Sequence, residues 1–342
     1  MLMKNIKVIA PSLGRRFSGI NASMLAVIPE QEKLINIVGL GFNLDSKTIA
    51  KITFKQFLFG CWRGEWRIWH ARRNIEMLVG IILKYVFRYK LILVFTTAGA
   101  RKRSKIQKFY CNKMDAIIPV SMIAASRFEQ NLQIVPHGIN PQNFYPSTKP
   151  QNSRKIGFFG RIKKTKGIEE FVDAMIDVLP NNPGWKANIY GETTSKNYDL
   201  EKKLKDKIKV AGLENRIVFK GFINFEDTPK CYRELDIVVC PSYTEGFGIP
   251  VLEAMASKCA VIATKTGVWK DIIKQGENGF LVDIKSSAQI AEKLNLLIND
   301  DSLRKKIAQN GYELVTSKYT VENEAQGIQK IYDKLLSEKN IK

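Results

Sequence analysis

The sequence predicts an α/β protein of two doubly wound domains, each a parallel sheet with helices on both faces. Three observations carry that prediction. The chain has 342 residues, more than the roughly 100 to 200 expected of one domain. Short apolar runs rich in Val and Ile recur along it, continuous rather than alternating, as strands covered on both faces require. Helical patterns separate these runs, which is how parallel strands are connected.

In order, the strand candidates of the first half are KVIAP, LINIVGLGF, RIWHA, LILVFTTA, AIIPVS and QIVPH. A polar, proline-bearing stretch from Tyr145 to Lys155 (YPSTKPQNSRK) reads as a linker. The pattern then restarts with IGFFG, ANIYG, IVFKGF, DIVVCPS, AVIAT and GFLVDI. From Asp301 onward no strand candidate remains, and SLRKKIAQNGYELV and VENEAQGIQKIYDKLL read as amphipathic helices. The expected boundaries are 1–148 for the first domain, 149–316 for the second and 317–342 for a closing helix. Two such domains facing across a cleft make the cleft the default ligand site, with the linker as its hinge.

Charge narrows the function. The chain carries 54 Lys and Arg against 33 Asp and Glu, a net +21. Residues 1–150 hold 23 of the basic and 7 of the acidic residues, or +16, leaving +5 for the remainder. The first half is therefore built to meet something anionic: an anionic membrane face, an acidic substrate or nucleic acid. Five cysteines form no CxxC pair and there are two histidines, so no structural metal and no disulfide framework is expected, only reduced thiols in a cytoplasm. MLMKNIKVIAP has no signal-peptide layout, and the hydrophobic stretches fall short of the roughly 20 residues that span a bilayer.

The sharpest constellation is PSYTEGFGIPVLEAMA, residues 241–256. A strand ends at Pro241, a loop holds Glu245, Phe247 and Gly248, and Pro250 stands in the first turn of a helix. Glycines let backbone amides approach a ligand, and the helix start offers unpaired N–H groups to a phosphate. Glu245 and Glu253, on either side of that anion site, can each accept from hydroxyl groups, a pattern suited to a nucleotide sugar. Upstream, IGFFGRIKKTKGIEEF (156–171) places Arg161 and Lys166 after a strand, at the same end of the sheet, as a guanidinium fork and a point charge for a diphosphate.

Glu245 and Glu253 in that setting, with GRIKKTKG before them and ENGFLV (277–282) after, resemble the retaining nucleotide-sugar glycosyltransferases of family 4, which have the GT-B fold of two Rossmann-like domains. The resemblance implies that Glu253 holds the ribose hydroxyls, that Glu245 with the Phe247 and Gly248 backbone holds the hexose, and that Arg161 and Lys166 hold the diphosphate. Gly221 and Phe222 fall near the base. It further implies no metal and no cofactor beyond the donor, and a same-face displacement in which the leaving phosphate oxygen takes the acceptor proton.

In the first half, APSLGRRFSGINASMLAVIPEQ, WRIWHARRNIEMLVG, LVFTTAGARKRS and KMDAIIPVS are similar to the bacterial lipopolysaccharide core mannosyltransferases of that family, which use GDP-mannose and act beside the sugar acid Kdo. By this similarity Gly19 lies in the first strand-to-helix loop, near donor or acceptor, although Ser18 and Gly19 stand where relatives often have two glycines. His70 matches a cleft histidine that touches the transferred sugar, and His137 is structural. Arg15, Arg16, Arg72 and Arg73, after first-domain strands, suit the carboxylate and phosphates of Kdo and lipid A. KYVFRYK and ARKRSKIQKFYCNK mix basic and aromatic residues, as in a segment that docks on the anionic cytoplasmic face of the inner membrane. Two rival readings remain: a UDP-sugar hexosyltransferase acting on another glycolipid or a polysaccharide, and a basic nucleic-acid-binding protein. The latter lacks any recognisable nucleic-acid module, so no nucleic-acid partner is expected.

Overall fold

The computed structural model describes residues 5–15, 19–44, 49–60, 65–99, 103–148 and 153–340. The chain divides into two compact units, Met1–Gly138 with Tyr319–Lys342, and Ile139–Lys318.

The first unit runs β1 (Val8–Ser12), α1 (Gly19–Glu32), β2 (Ile37–Gly41), β3 (Lys51–Ile52), α2 (Phe54–Phe59), β4 (Arg67–Ala71), α3 (Asn74–Tyr85), β5 (Leu91–Thr97), α4 (Lys105–Asn112), β6 (Ala116–Pro119) and α5 (Met122–Ala125). The second unit holds β7 (Lys155–Phe159), α6 (Ile168–Val178), β8 (Lys186–Tyr190), α7 (Tyr198–Val210), β9 (Ile217–Gly221), α8 (Thr228–Arg233), β10 (Ile237–Cys240), α9 (Ile249–Ala256), β11 (Ala260–Thr264), α10 (Trp269–Ile272), β12 (Phe280–Val282), α11 (Ser287–Asn299) and α12 (Asp301–Lys318). The last helix, α13 (Val321–Asn340), returns to the first unit.

Each unit has one six-stranded sheet, in the orders β3-β2-β1-β4-β5-β6 and β12-β11-β10-β7-β8-β9. All the named strand pairs are parallel. The order is the same in both, reversing direction between β1 and β4 and between β7 and β10. Ligands of open parallel sheets bind beyond the strand C-termini at that reversal.

Burial explains why these sequences form strands. Every residue of β1, β4, β5, β10 and β11 is buried, so continuous apolar runs are what a sheet covered on both faces selects. The helix α13 adds Ala325, Ile328, Tyr332 and Leu335 to the core formed by Val8, Met24, Ile28, Ile68 and Val94. Their spacing of three and four residues is one face of a helix.

Two expectations are corrected. QIVPH is no strand: Val135 is buried and its N–H reaches Pro119 O at 3.0 Å, but Pro136 has no N–H to continue a ladder. The sixth strand is instead β3, two residues too short to show a periodicity. The unit boundary also falls earlier than the expected linker, at Gly138. Residues 143–145 join the second unit because Phe144 packs edge-on against Tyr232 at 5.9 Å and the Arg233 guanidinium lies 4.3 Å over Tyr145 while its Nη1 donates to Asn143 O at 3.2 Å.

Candidate functional site

In the second unit two loops leave the adjacent C-termini of β7 and β10. The first ends at Gly167, whose φ of 72° belongs to the left-handed region. A Cβ there would stand 2.0 Å from Pro241 O in the second loop, so only glycine permits the approach. Tyr243 N–H then donates to Thr165 O at 3.0 Å, tying the two loops together.

This contact sets the charged groups. Lys166 Nζ donates to Glu245 Oε1, and Ser242 Oγ–H donates to the same oxygen at 2.9 Å. Both charged side chains keep partial access to solvent. The Lys166 and Glu245 positions, 79 residues apart, are thus brought into one ion pair. Arg161, in the first loop, is exposed.

The helix α9 begins directly after the second loop. Its cap, Gly248, has φ 75° and ψ 55°, and a Cβ on it would fall 2.3 Å from Trp269 Nε1. The indole N–H donates to Gly248 O at 3.0 Å, and Phe247 is buried beside it. The loop geometry is therefore held by packing. One turn into α9, the Glu253 carboxylate accepts from the Tyr232 hydroxyl at 2.9 Å. Burial lifts the Glu253 carboxyl to about 7, against the opposing effect of the Tyr232 bond. Tyr232 stacks on Phe159 at the end of β7, with ring centres 3.9 Å apart, and Phe159 stacks on Tyr190 at 4.7 Å. The aromatic ladder fixes Glu253 relative to the sheet.

Gly221 closes β9 at the sheet edge with φ 72°, and Phe222 is 69% exposed. They lie two strands from β7, and no contact with the Lys166–Glu245 pair was found for them among the described residues. Ser242 and Tyr232 were not anticipated. A hydroxyl next to the glutamate loop could have suggested Ser242, whereas Tyr232 sits in α8 with no local signal.

In the first unit, Gly19 opens α1 with free space where a Cβ would stand. Arg15 is exposed, 5.9 Å over the Phe42 ring; Arg16 and Ser18 lie outside the described residues. His70 is fully buried. Its Nδ1 lies 2.5 Å from the Tyr332 hydroxyl and its Nε2 2.6 Å from Thr96 Oγ1. The structure thus places it inside the domain with both nitrogens bonded, rather than with a ring edge open to a sugar. Burial, aided by the charge of Arg72, holds its pKa well below the ordinary value, so the ring is neutral. His137 Nδ1 meets Glu324 Oε1 at 2.8 Å, and Gly138 N–H donates to Glu324 Oε2 at 2.8 Å. Arg72 and Arg73 follow β4; the first is nearly buried and the second is woven into hydrogen bonds.

The family described as glycosyl transferases group 1 matches residues 140–314. A lipopolysaccharide core biosynthesis mannosyltransferase, LpcC of Rhizobium leguminosarum bv. viciae, is 34% identical, with 98% of each chain covered. The crystal structure of the C-terminal domain of a glycosyl transferase group 1 family protein, LpcC from Francisella tularensis, is 53% identical, with a TM-score of 0.52, covering 54% of this chain and 99% of that one. Anabaena HepE, in complex with UDP and glucose, is 19% identical but superposes with a TM-score of 0.81 over 96% of this chain and 100% of its own. That last likeness is one of fold: two parallel six-stranded sheets in the GT-B arrangement.

Proposed function

Because the chain belongs to the group 1 glycosyltransferases, we propose that it moves mannose from GDP-mannose, with retention, onto a Kdo-containing lipopolysaccharide inner core. The observation that carries the reading is the pairing of Lys166 with Glu245 at the sheet reversal of the second unit. A cation for the departing diphosphate and an acid for the sugar hydroxyls stand next to each other there.

In this reading Lys166 and Arg161 receive the diphosphate, and the start of α9 adds its unpaired N–H groups. Glu245 and the backbone at Phe247 and Gly248 hold the hexose. Glu253 accepts from the ribose hydroxyls, with Gly221 and Phe222 near the base. The bond from the anomeric carbon to the phosphate oxygen breaks, the acceptor oxygen bonds to that carbon on the same face, and the acceptor proton passes to the leaving diphosphate. The chemistry needs no metal and no cofactor in this scheme.

The likeness to a relative named as a lipopolysaccharide core mannosyltransferase over nearly its whole length supports mannose and an anionic glycolipid acceptor. The +16 of residues 1–150 supports the same acceptor and a peripheral position on the cytoplasmic face of the inner membrane. No helix among the described residues is long and apolar enough to cross a membrane. The test is a donor panel: labelled GDP-mannose, UDP-glucose, UDP-galactose and UDP-N-acetylglucosamine, each with Kdo-lipid A. Transfer of mannose alone is expected; transfer from a UDP-sugar instead would replace the donor assignment.

A further inference from the structure

The dipeptide Arg72-Arg73 sits where β4 gives way to α3, at the C-terminal side of the β1/β4 reversal in the first sheet. Two adjacent arginines are alike in sequence, but their surroundings are opposite.

Arg73 is fully engaged. Its Nη1 donates to Glu76 Oε1 at 3.2 Å and its Nη2 to Asn21 Oδ1 at 2.6 Å, while Asn21 Nδ2 donates to Ser12 Oγ at 3.0 Å. A Cβ on Gly14 would stand 2.9 Å from the Arg73 Cζ, so the guanidinium also fills the space against the β1–α1 loop. Arg73 is a strut between that loop, α1 and α3.

Arg72 has none of this. It is 8% exposed, yet its Nη1 is buried without a hydrogen-bond partner among the described residues. The acid close by is Glu76, itself completely enclosed. Its Oε2 accepts the N–H groups of Arg72 and Arg73 at 2.8 and 2.9 Å, and its Oε1 accepts Leu13 N–H at 3.2 Å along with Arg73. No oxygen of Glu76 is left for the Arg72 guanidinium. A buried cation with neither counter-charge nor full hydrogen bonding is costly and calls for an anion. A planar fork of donors matches a carboxylate or a phosphate.

We propose that Arg72 is the side chain that receives the anionic oxygen group of the acceptor, a carboxylate or a phosphate, and that Arg73 is a positioning residue that holds the loop. This rests on the glycosyltransferase reading for the word acceptor. It rests on the geometry alone for the existence of an anion site.

The experiment measures binding and transfer separately, on the full chain. Detergent-solubilised Kdo-lipid A is titrated calorimetrically in three forms: intact, with the Kdo carboxylate methylated, and with the lipid A phosphates removed. For the wild type, one of the two neutralised forms is expected to bind about tenfold more weakly, and that form identifies the recognised group. Arg72→Gln is expected to bind the intact form about tenfold more weakly and to lose the preference between intact and neutralised forms. Arg72→Lys, which keeps the charge but not the fork, should recover part of the preference. Arg73→Gln should lower the thermal midpoint while keeping the preference. Circular dichroism melting of each variant checks the fold. A preference undiminished in both Arg72→Gln and Arg72→Lys, or a wild type indifferent to both modifications, overturns the assignment. Transfer from the donor panel is scored independently, so a protein that discriminates the anions but moves no sugar defeats the enzymatic reading and leaves the anion site standing.

Discussion

Tyr332, in the last helix of the chain, holds its hydroxyl 2.5 Å from Nδ1 of His70, a residue 262 positions earlier in β4. The two rings meet edge to face with centres 5.7 Å apart. Gln31 Nε2 donates to the same hydroxyl at 3.4 Å, leaving the phenolic proton for Nδ1 and the Nε2 proton of the ring for Thr96. Burial lifts the Tyr332 hydroxyl to about 12, so it stays protonated in this role. The helix α13 therefore does more than cover the first core: it sets the tautomer and orientation of a neutral, buried imidazole.

Tyr332→Phe removes the hydroxyl and leaves His70 Nδ1 enclosed without a partner. The expected loss is about 1 to 3 kcal/mol of stability, the range for an orphaned buried polar atom, read as a lower urea midpoint. Replacing Thr96 by Val should act at the other nitrogen in the same direction. Because both changes release one ring, the double variant should lose less than the sum of the single losses.

Glu253 predicts a pH dependence of opposite sign for stability and for donor binding. Its folded value, about 7, lies above the roughly 4.3 of an unperturbed glutamate. The native state then holds a proton that the unfolded chain has given up, and stability falls as pH rises between these values and levels off above about 7. Glu253→Gln does not ionise, so its thermal midpoint should gain on the wild type from pH 5 to 8. On the proposed reading, ribose hydroxyls donate to the ionised Glu253 carboxylate, so the donor KM of the wild type should fall over the same interval. That pH effect on KM should vanish in the variant, along with at least tenfold in donor affinity.

Much of this architecture is legible in the sequence for a specific reason. A strand covered on both faces is apolar at most of its positions, and among the described residues all the strands but β3 are long enough to show that composition. The loop from Pro241 to Gly248 was legible for a different reason: close approach to the Trp269 indole demands glycine at Gly248, and glycine marks the turn between an apolar strand and an apolar helix. What stayed hidden depends on tertiary placement. Nothing in WHARR distinguishes Arg72 from Arg73, because the difference is made by Glu76, Asn21 and Gly14 arriving from other elements. His70 next to two arginines suggests an open strand end, but Tyr332 and Thr96 enclose it, and neither stands near it in the chain.

Gly248→Ala tests whether the loop before α9 is held by packing. The residue has φ 75° and a Cβ would stand 2.3 Å from Trp269 Nε1, so the substitution combines backbone strain with a clash against an enclosed ring. Gly212 has φ 66° with nothing within 4 Å of a Cβ, so its alanine variant carries strain alone. Gly212→Ala should cost about 1 kcal/mol and leave transfer intact. Gly248→Ala should cost more, about 2 to 4 kcal/mol when the overpacking is added, and should reduce donor turnover. Paired denaturation curves and initial rates check both.

Lys166 bears on the ion pair directly. Lys166→Met keeps the length of the side chain and removes the charge that faces Glu245. If that charge stabilises the departing diphosphate, kcat should fall by about 10²-fold, as when one preorganised electrostatic partner is removed from a reacting group. Stability should change little, since the lysine is partly exposed and such pairs contribute under about 1 kcal/mol. Steady-state rates with donor and acceptor both varied separate this from a binding effect, which would raise KM and spare kcat.

The surface of the first unit carries an exposed apolar and basic patch. At the end of α3, Tyr85, Val86 and Phe87 are largely exposed, Val86 by 70%. On α4, which packs beside α3, Ile106 and Phe109 are 64% and 53% exposed. The two groups form one patch, because Lys113 Nζ stands 5.5 Å from the Tyr85 ring and 5.7 Å from the Phe109 ring. Arg88, Lys105 and Lys108 supply further positive charge along the same segments. Apolar side chains that enter the headgroup region and cations that meet anionic lipid act together, at about 1 kcal/mol per basic residue near the surface. Liposomes containing anionic phosphatidylglycerol should therefore pellet the protein at low salt far better than neutral phosphatidylcholine liposomes. Raising the salt should release it as screening shortens the reach of the charges. Phe87→Ser with Ile106→Ser should reduce pelleting severalfold without lowering the thermal midpoint, since neither side chain is part of a core. Equal pelleting on neutral and anionic vesicles would remove the membrane from this account.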